Sequence, residues 1–261
     1  MDGTASREAG FPGDSFEFTV TPGAGCSDSD VRWSGGGDPA TGTGRRFRTT
    51  FALGGAFTVT ARCGAETRGF TVSICPVDQW LGDARGFFGP SIDFGKVRVK
   101  GSRFVLGSAG TGFTCHDVIR FKRPERPSDF PDESTLIHEL GHVWKHQSGQ
   151  VQLLGGLVEQ ASRVFGRDPY DFGGPAGVRG GTELSRFKKE GQAEIIRDYW
   201  LSSHGYPSDM QGVSFTTPGY VDDLRRLVEG AGIGLAPPRK RSSIGAVIDS
   251  IAAWVVNAIL R

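Results

Sequence analysis

Two histidines and a glutamate near the middle of the chain have the types and the spacing of a hydrolytic metal site. His138, Glu139 and His142 form the pattern His-Glu-x-x-His within the apolar, helix-like segment 136–146. Side chains four residues apart share one face of a helix, so both imidazoles can bind one zinc ion at about 2.0–2.1 Å. Glu139 lies one position further round, where its carboxylate can take a proton from a water molecule on the metal. We predict that His138 and His142 are zinc ligands and that Glu139 is the catalytic base.

A catalytic zinc site needs a third protein ligand and keeps its fourth position open. His146 lies about 12 Å beyond His138 along the helix axis, at about 1.5 Å per residue, so it is predicted to be a surface histidine. His116 and His204 lie outside this helix and remain open as ligands. Glu190 is the favoured third ligand.

Glu190 and Glu194 belong to a second helical segment, predicted at 182–203. Like charges four residues apart repel by about 0.2–0.5 kcal/mol, so an ordinary helix carries this pair at a cost. In a zinc site both have a role, because Glu190 binds the ion and Glu194 accepts the remaining ring N–H of a ligating histidine. The alternative is a solvated acidic face, whose salt-bridge partners would be Lys188, Lys189 and Arg197.

A hydrolytic site also needs a donor for the developing oxyanion. The sequence gives no basis for choosing among four candidates, which are His204, Tyr170, Tyr199 and Tyr206. We also expect the strand predicted at 115–121, just before the active helix, to be a sheet edge that can pair with an extended substrate.

The N-terminal part of the chain predicts a small antiparallel β-sandwich. Short segments in which apolar and polar residues alternate are separated by turns rich in Gly, Asp and Pro. The predicted strands are 16–20, 31–33, 46–51, 57–61 and 70–74. The segments 31–44 and 55–63 resemble the small bacterial immunoglobulin-like or PKD-type modules. Because Pro76 cannot continue a strand ladder, we assign domain 1–75 to this sandwich.

Residues 76–261 predict an α+β domain. Strands are expected at 96–100 and 116–121, and helices at about 131–147, 150–165, 182–203 and 218–229. A last apolar helix is predicted at 243–260. It is interrupted by Asp249 and Asn257 and falls short of the about 20 apolar residues of a membrane span, so we expect it to dock on the catalytic core.

Three segments of this domain resemble the zincin-like metallopeptidase toxin domains that are attached to type VI secretion spike and Rhs-type proteins. They are Leu-Ile-His-Glu-Leu-Gly-His-Val-Trp-Lys-His-Gln from Leu136, Asp-Pro-Tyr-Asp-Phe from Asp168, and Glu-Gly-Gln-Ala-Glu-Ile-Ile-Arg-Asp-Tyr from Glu190. The resemblance covers residues 76–206 and implies a gluzincin site, in which a downstream glutamate, here Glu190, completes the zinc ligands. Two positions depart from the family, because Gly141 stands where Thr is common and Gly191 where Gln is common.

The resemblance also implies a secreted effector toxin, exported by a dedicated secretion machine and acting outside the cell or in the periplasm of a target cell. A carrier of that machine and an immunity protein are then expected partners, besides a peptide or protein substrate. The first twenty residues carry several charges and no apolar run, so no signal peptide is expected. Thirty basic against 29 acidic side chains give a net charge of +1, which does not favour nucleic acid as a partner.

Four cysteines permit two disulfides in any of three pairings, or four buried thiols. They are Cys26, Cys63, Cys75 and Cys115.

The function expected from the whole sequence is a zinc metallopeptidase that hydrolyses peptide bonds. The alternatives are a zinc amidase acting on cell-wall peptides, and a non-catalytic binding or structural module that displays the sandwich. A structural zinc would need a fourth protein ligand, and none is apparent near Glu190 in the sequence.

Overall fold

The computed structural model of the chain describes residues 1–105, 107–149, 170–208 and 213–234. They form two compact units. The first holds Met1–Leu81, Val99–Thr111 and Phe121–Pro131, and the second holds Gly82–Arg98, Gly112–Arg120 and the described residues from 132 onward. The helices predicted at 150–165 and 243–260 lie outside the described residues. The division into domains 1–75 and 76–261 stays a prediction.

The N-terminal strands form two sheets around an apolar core, as their alternating pattern predicts. Their bounds are β1 (Asp2–Ala5), β2 (Ala9–Gly10), β3 (Ser15–Thr21), β4 (Arg32–Ser34), β5 (Thr41–Thr43), β6 (Arg46–Thr50), β7 (Gly55–Cys63) and β8 (Glu66–Ile74). One sheet has the strand order β1-β3-β6 and the other β2-β8-β7-β4-β5. The pairing is antiparallel except between the short β2 and β8, which run parallel.

Aromatic side chains fill the core of this sandwich. Phe16 and Phe18 point inward from β3, because residues two apart on a strand lie on the same face. Trp33 stacks on Phe47 with ring centroids 5.5 Å apart, and its indole N–H donates to the carbonyl oxygen of Gly44 over 2.7 Å. The large rings therefore bury their apolar surface while the polar atom of the indole keeps a partner.

The four cysteines divide into one disulfide and two thiols. Cys26 and Cys63 are joined across 37 residues of sequence. Cys75 and Cys115 are buried thiols that take no part in a disulfide. The structure thus contains one of the disulfides that the sequence permits and leaves the other pair reduced.

The described elements after the sandwich combine one small sheet with helices, and they confirm the predicted fold class. Their bounds are α1 (Val77–Phe88), β9 (Arg98–Ser102), β10 (Gly112–Cys115), β11 (Val118–Lys122), α2 (Glu133–Gln147), α3 (Gly174–Gly180), α4 (Lys189–Ser203) and α5 (Tyr220–Gly230). The strand order of the small sheet is β10-β11-β9. No helix among the described residues is both long and apolar enough to cross a membrane.

The small sheet corrects the expected strand at 115–121. His116 and Asp117 form a two-residue turn between β10 and β11, and His116 has a left-handed backbone with φ 58°. Primed hairpin turns require positive φ at such positions. Residues 116 and 117 therefore form the turn, and the strand begins only at Val118. Because β11 lies in the middle of the sheet, the predicted edge strand is wrong, and among the described strands β10 is at the edge instead.

Helix α2 begins and ends where its sequence signals predict. Asp132 caps the N-terminus, since its carboxylate accepts from the backbone N–H of Thr135 over 2.7 Å. Beyond the last turn, Gly149 has φ 88°, a conformation typical of a helix end. Helix α4 begins later than predicted, because residues 184–186 form a separate 3-10 turn before it.

Candidate metal centre

Helices α2 and α4 of the second unit carry the candidate site, and they approach each other closely. A Cβ atom placed on Gly141 would lie 3.3 Å from the Cα atom of Ala193 and 3.3 Å from Cδ1 of Ile196. On the facing helix, a Cβ atom on Gly191 would lie 3.2 Å from Cβ of Phe172. Both positions that depart from the resembled family are therefore places where glycine allows tight packing.

Three side chains on these helices converge on one point. The Nε2 atoms of His138 and His142 are 3.2 Å apart, and each lies 3.1 Å from Oε2 of Glu190. Atoms bound to a tetrahedral zinc at about 2.0–2.1 Å lie about 3.3–3.4 Å from one another. The spacing and the donor set, two imidazoles and a carboxylate, therefore fit a zinc ion. Among the described residues, this is the group that could hold a metal.

Glu194 supports this group from the far side of His138. Its Oε1 lies 3.0 Å from Nδ1 of His138, and it also pairs with Arg197 over 3.4 Å. Arg197 in turn donates from Nε to the hydroxyl of Ser134 on α2 over 2.9 Å. The pairing with Arg197 is one that the solvated-face alternative predicted. The side chains of Glu190 and Glu194 are only 15% and 13% exposed, however, so this is not a solvated acidic face.

The carboxylates of Glu190 and Glu194 make the local electrostatic potential negative. Burial lowers the pKa of His138, but the adjacent carboxylates of Glu190 and Glu194 outweigh burial and raise it to about 10. Burial raises the pKa of Glu190, yet attraction to His142 and His138 holds it well below its usual range. The pKa of Glu194 is lowered as well, because its contact with His138 outweighs its burial. The arrangement favours a cation at the convergence point.

Glu139, the predicted base, is 6% exposed and lies against strand β10. The hydroxyl of Thr114 donates to Oε2 of Glu139 over 2.5 Å. A Cβ atom on Gly112 would lie 2.5 Å from Oε1 of Glu139, so a side chain at this position would displace the carboxylate. Gly112 and Thr114 were not predicted as site residues, because the sequence does not show that strand β10 packs against helix α2.

The four oxyanion candidates lie in different surroundings. The ring of Tyr170 lies 5.8 Å from that of His138. Tyr199 donates its hydroxyl to Glu229 over 3.0 Å. The rings of His204 and Tyr206 stack on Trp200 at 4.4 Å and 5.7 Å. Of the four, Tyr170 is the one seen in contact with a histidine of the site.

The remaining histidines form a pair away from the convergence point. His116 stacks on His146 with ring centroids 4.4 Å apart, and Nε2 of His146 lies 3.9 Å from Oδ2 of Asp117. His146 is 8% exposed, so the prediction of a surface histidine is wrong. The reason is that α2 is buried on nearly all sides, which a single apolar stripe does not indicate.

Comparison with known proteins relates part of the chain to a secretion-system protein. No family model matches the chain. The chain is similar to the type VI secretion system spike protein VgrG2b of Pseudomonas aeruginosa, with 29% identity over 131 residues. The match covers 47% of this chain and 12% of the spike protein, so the chain spans a small part of that protein's length. The likeness agrees with the secretion-system part of the resemblance, while the zincin toxin domain stays a prediction.

Proposed function

We propose that this chain is a zinc-dependent metallopeptidase that hydrolyses peptide bonds. The observation that carries the proposal is the convergence of His138, His142 and Glu190 within 3.1–3.2 Å of one another, with Glu139 next to His138 on the same helix. A zinc ion bound there would lower the pKa of a water ligand towards about 7 and polarise a substrate carbonyl. The donor set has three members among the described residues, which suits a catalytic site better than a closed structural one.

The chain's own residues supply positioning and proton transfer. Glu194 holds the ring of His138 in the orientation that presents Nε2 to the ion. Glu139 takes the proton of the attacking water and passes it to the leaving amine nitrogen, which is general acid–base catalysis by one carboxylate. Tyr170 is the favoured donor for the developing oxyanion among the sequence candidates, because its ring contacts His138.

We further propose that the protein is an effector delivered by a type VI secretion system. The similarity to a spike protein supports this delivery route. The substrate is then a peptide or protein of a target cell, reached outside the cell or in its periplasm, and an immunity protein is the expected inhibitor in the producing cell.

The experiment combines metal analysis with a hydrolysis assay. The purified protein should contain close to one zinc, cleave an unstructured protein such as casein, and lose this activity on chelation. Glu139→Gln should retain the zinc and abolish cleavage, because Glu139 handles protons without binding the metal. The matched control is Glu183→Gln, the same change at an exposed carboxylate, which should cleave like the wild type. A Glu139→Gln protein that cleaved at the wild-type rate would refute the peptidase assignment.

A further inference from the structure

The edge strand β10 faces the predicted catalytic base with two residues. Gly112 and Thr114 are two apart on the strand, so they lie on the same face. Both are in close contact with the carboxylate of Glu139. One leaves space for the carboxylate and the other donates a hydrogen bond to it.

The hydrogen bond from Thr114 fixes one carboxylate oxygen. Oγ1 of Thr114 lies 2.5 Å from Oε2 of Glu139 and 3.3 Å from the backbone oxygen of the same residue. An ionised carboxylate only accepts, so the hydroxyl proton points to Oε2, and such charge-assisted bonds are short and strong. This bond holds Oε2 against the strand and so fixes the orientation of the carboxylate.

The space beside Oε1 exists because residue 112 has no side chain. A Cβ atom there would lie 2.5 Å from Oε1, 2.8 Å from Cδ and 2.9 Å from Cγ of Glu139. The backbone of Gly112 is not in the left-handed region, so alanine can adopt its conformation. The three atoms nearest to a methyl group at this position all belong to Glu139, so we expect the methyl group to displace this side chain first.

We propose that Thr114 and Gly112 are positioning residues for Glu139: Thr114 orients its carboxylate and Gly112 makes room for it. This inference rests on the proposed peptidase function. A carboxylate held in one orientation reacts faster than one that samples several, because the ordering is done before the reaction begins.

The kinetic test uses one isosteric and one conservative variant. Thr114→Val keeps the shape and removes the donor, whereas Thr114→Ser keeps the donor. With labelled casein as substrate, Thr114→Val should lower kcat by about 10–100-fold, part of the about 10²–10⁴-fold that a positioned base contributes, with KM and zinc content unchanged. Thr114→Ser should restore most of the rate, and Gly112→Ala should lower kcat like the Val variant.

A loss of rate that Ser does not restore, or a change in KM alone, would overturn the proposal. The second measurement does not depend on activity. Crystal structures of the zinc-loaded wild type, Thr114→Val and Gly112→Ala should show the Glu139 carboxylate displaced or split between orientations in both variants. An unmoved carboxylate would refute the positioning role even if the protein proves to be a peptidase. A zinc-loaded wild type that hydrolyses nothing, with the carboxylate displaced in both variants, would refute only the proposed function.

Discussion

The protonation of His138 is decided by the two carboxylates on either side of its ring. Glu190 lies 3.1 Å from Nε2 and Glu194 lies 3.0 Å from Nδ1. Since they raise the pKa of His138 to about 10, we expect its ring to carry a positive charge at neutral pH when no metal is bound. The charged ring stabilises the metal-free fold fully below its ordinary pKa of about 6.5, and this contribution is lost as the pH rises through about 10.

Zinc should therefore displace a proton from His138. In metal-free protein at pH 8, nitrogen-resolved NMR of labelled histidine should show both ring nitrogens of His138 protonated. Addition of zinc should remove the proton from Nε2 and leave Nδ1 protonated, because a ligand nitrogen must present its lone pair. A neutral His138 ring in the metal-free protein at pH 7 would contradict the arrangement.

The two glutamates of α4 should differ in how much their loss weakens zinc binding. Glu190→Ala removes a ligand, whereas Glu194→Ala removes a partner of one ligand, an effect typically about 10–100-fold in affinity. Competition with a chromophoric chelator should show the greater loss for Glu190→Ala, with His204→Ala as the control that leaves affinity unchanged. An equal loss in both glutamate variants would argue against Glu190 as the third ligand.

Sequence spacing and family likeness account for different parts of the site. His138, Glu139 and His142 are related by one helical turn, so a local pattern suffices to place them together. Glu190 is 48 residues further on, and what singled it out was its pairing with Glu194 on one helix face together with the resemblance to the toxin domains. Thr114 lies 25 residues before Glu139 on another element, and no periodicity in the sequence relates a strand residue to a helix residue at that distance.

At the scale of elements, the site depends on how closely α2 and α4 pack. Gly141 is the contact point, and its neighbours on α4 are Ala193 and Ile196, each 3.3 Å from a Cβ atom added there. The Cα atom of Ala193 can move only with its helix. Any side chain at 141 must therefore shift α4, and with it Glu190 and Glu194, relative to the histidines.

Gly141→Ala should consequently destabilise the protein and weaken zinc binding. Alanine favours a helix by about 1 kcal/mol over glycine, but overpacking costs about 1–3 kcal/mol, so a net loss of up to about 2 kcal/mol is expected. The matched control is Gly82→Ala in α1, where an added Cβ meets nothing within 4 Å, and which should raise stability. Thermal unfolding with and without zinc measures both effects. A Gly141→Ala protein more stable than wild type would show that α4 can shift to accommodate the methyl group without a loss of stability.

The elements themselves were predicted with uneven success, for physical reasons. Strands β3, β6, β7 and β8 have one buried and one exposed face, and alternation identifies such strands well. Helix α1 was missed because Gly82 and Gly86 lower its helix propensity. The hairpin turn at His116 was missed because His116 and Asp117 include no glycine, the residue that usually marks a two-residue hairpin turn.

At the scale of the whole molecule, the core of the sandwich is built from N-terminal residues alone, whereas Phe11 contacts aromatic rings much later in the sequence. The buried core cluster lies entirely within residues 16–74. Phe11 is fully buried, and its ring lies 5.7 Å from Phe121 and 6.4 Å from Phe130, which belong to the same unit. Residues 1–75 therefore contain the whole sandwich core. Their removal would also take away Phe11, which packs against the rings of Phe121 and Phe130.

A chain shortened to begin at Pro76 should still bind zinc, because every proposed ligand and Glu139 follow this residue. It should be less stable than the full chain, since loss of a buried Phe side chain typically costs about 3–5 kcal/mol. Phe11→Ala in the full chain is the control, and it should reproduce most of this loss while leaving zinc content at one. Unfolding curves compare the stability of the shortened chain with that of Phe11→Ala, and dye binding reports newly exposed apolar surface. Metal analysis gives the zinc content of each protein. If the shortened chain folded with native helix content yet bound no zinc, the N-terminal segment would have to shape the metal site, and the division after residue 75 would be wrong.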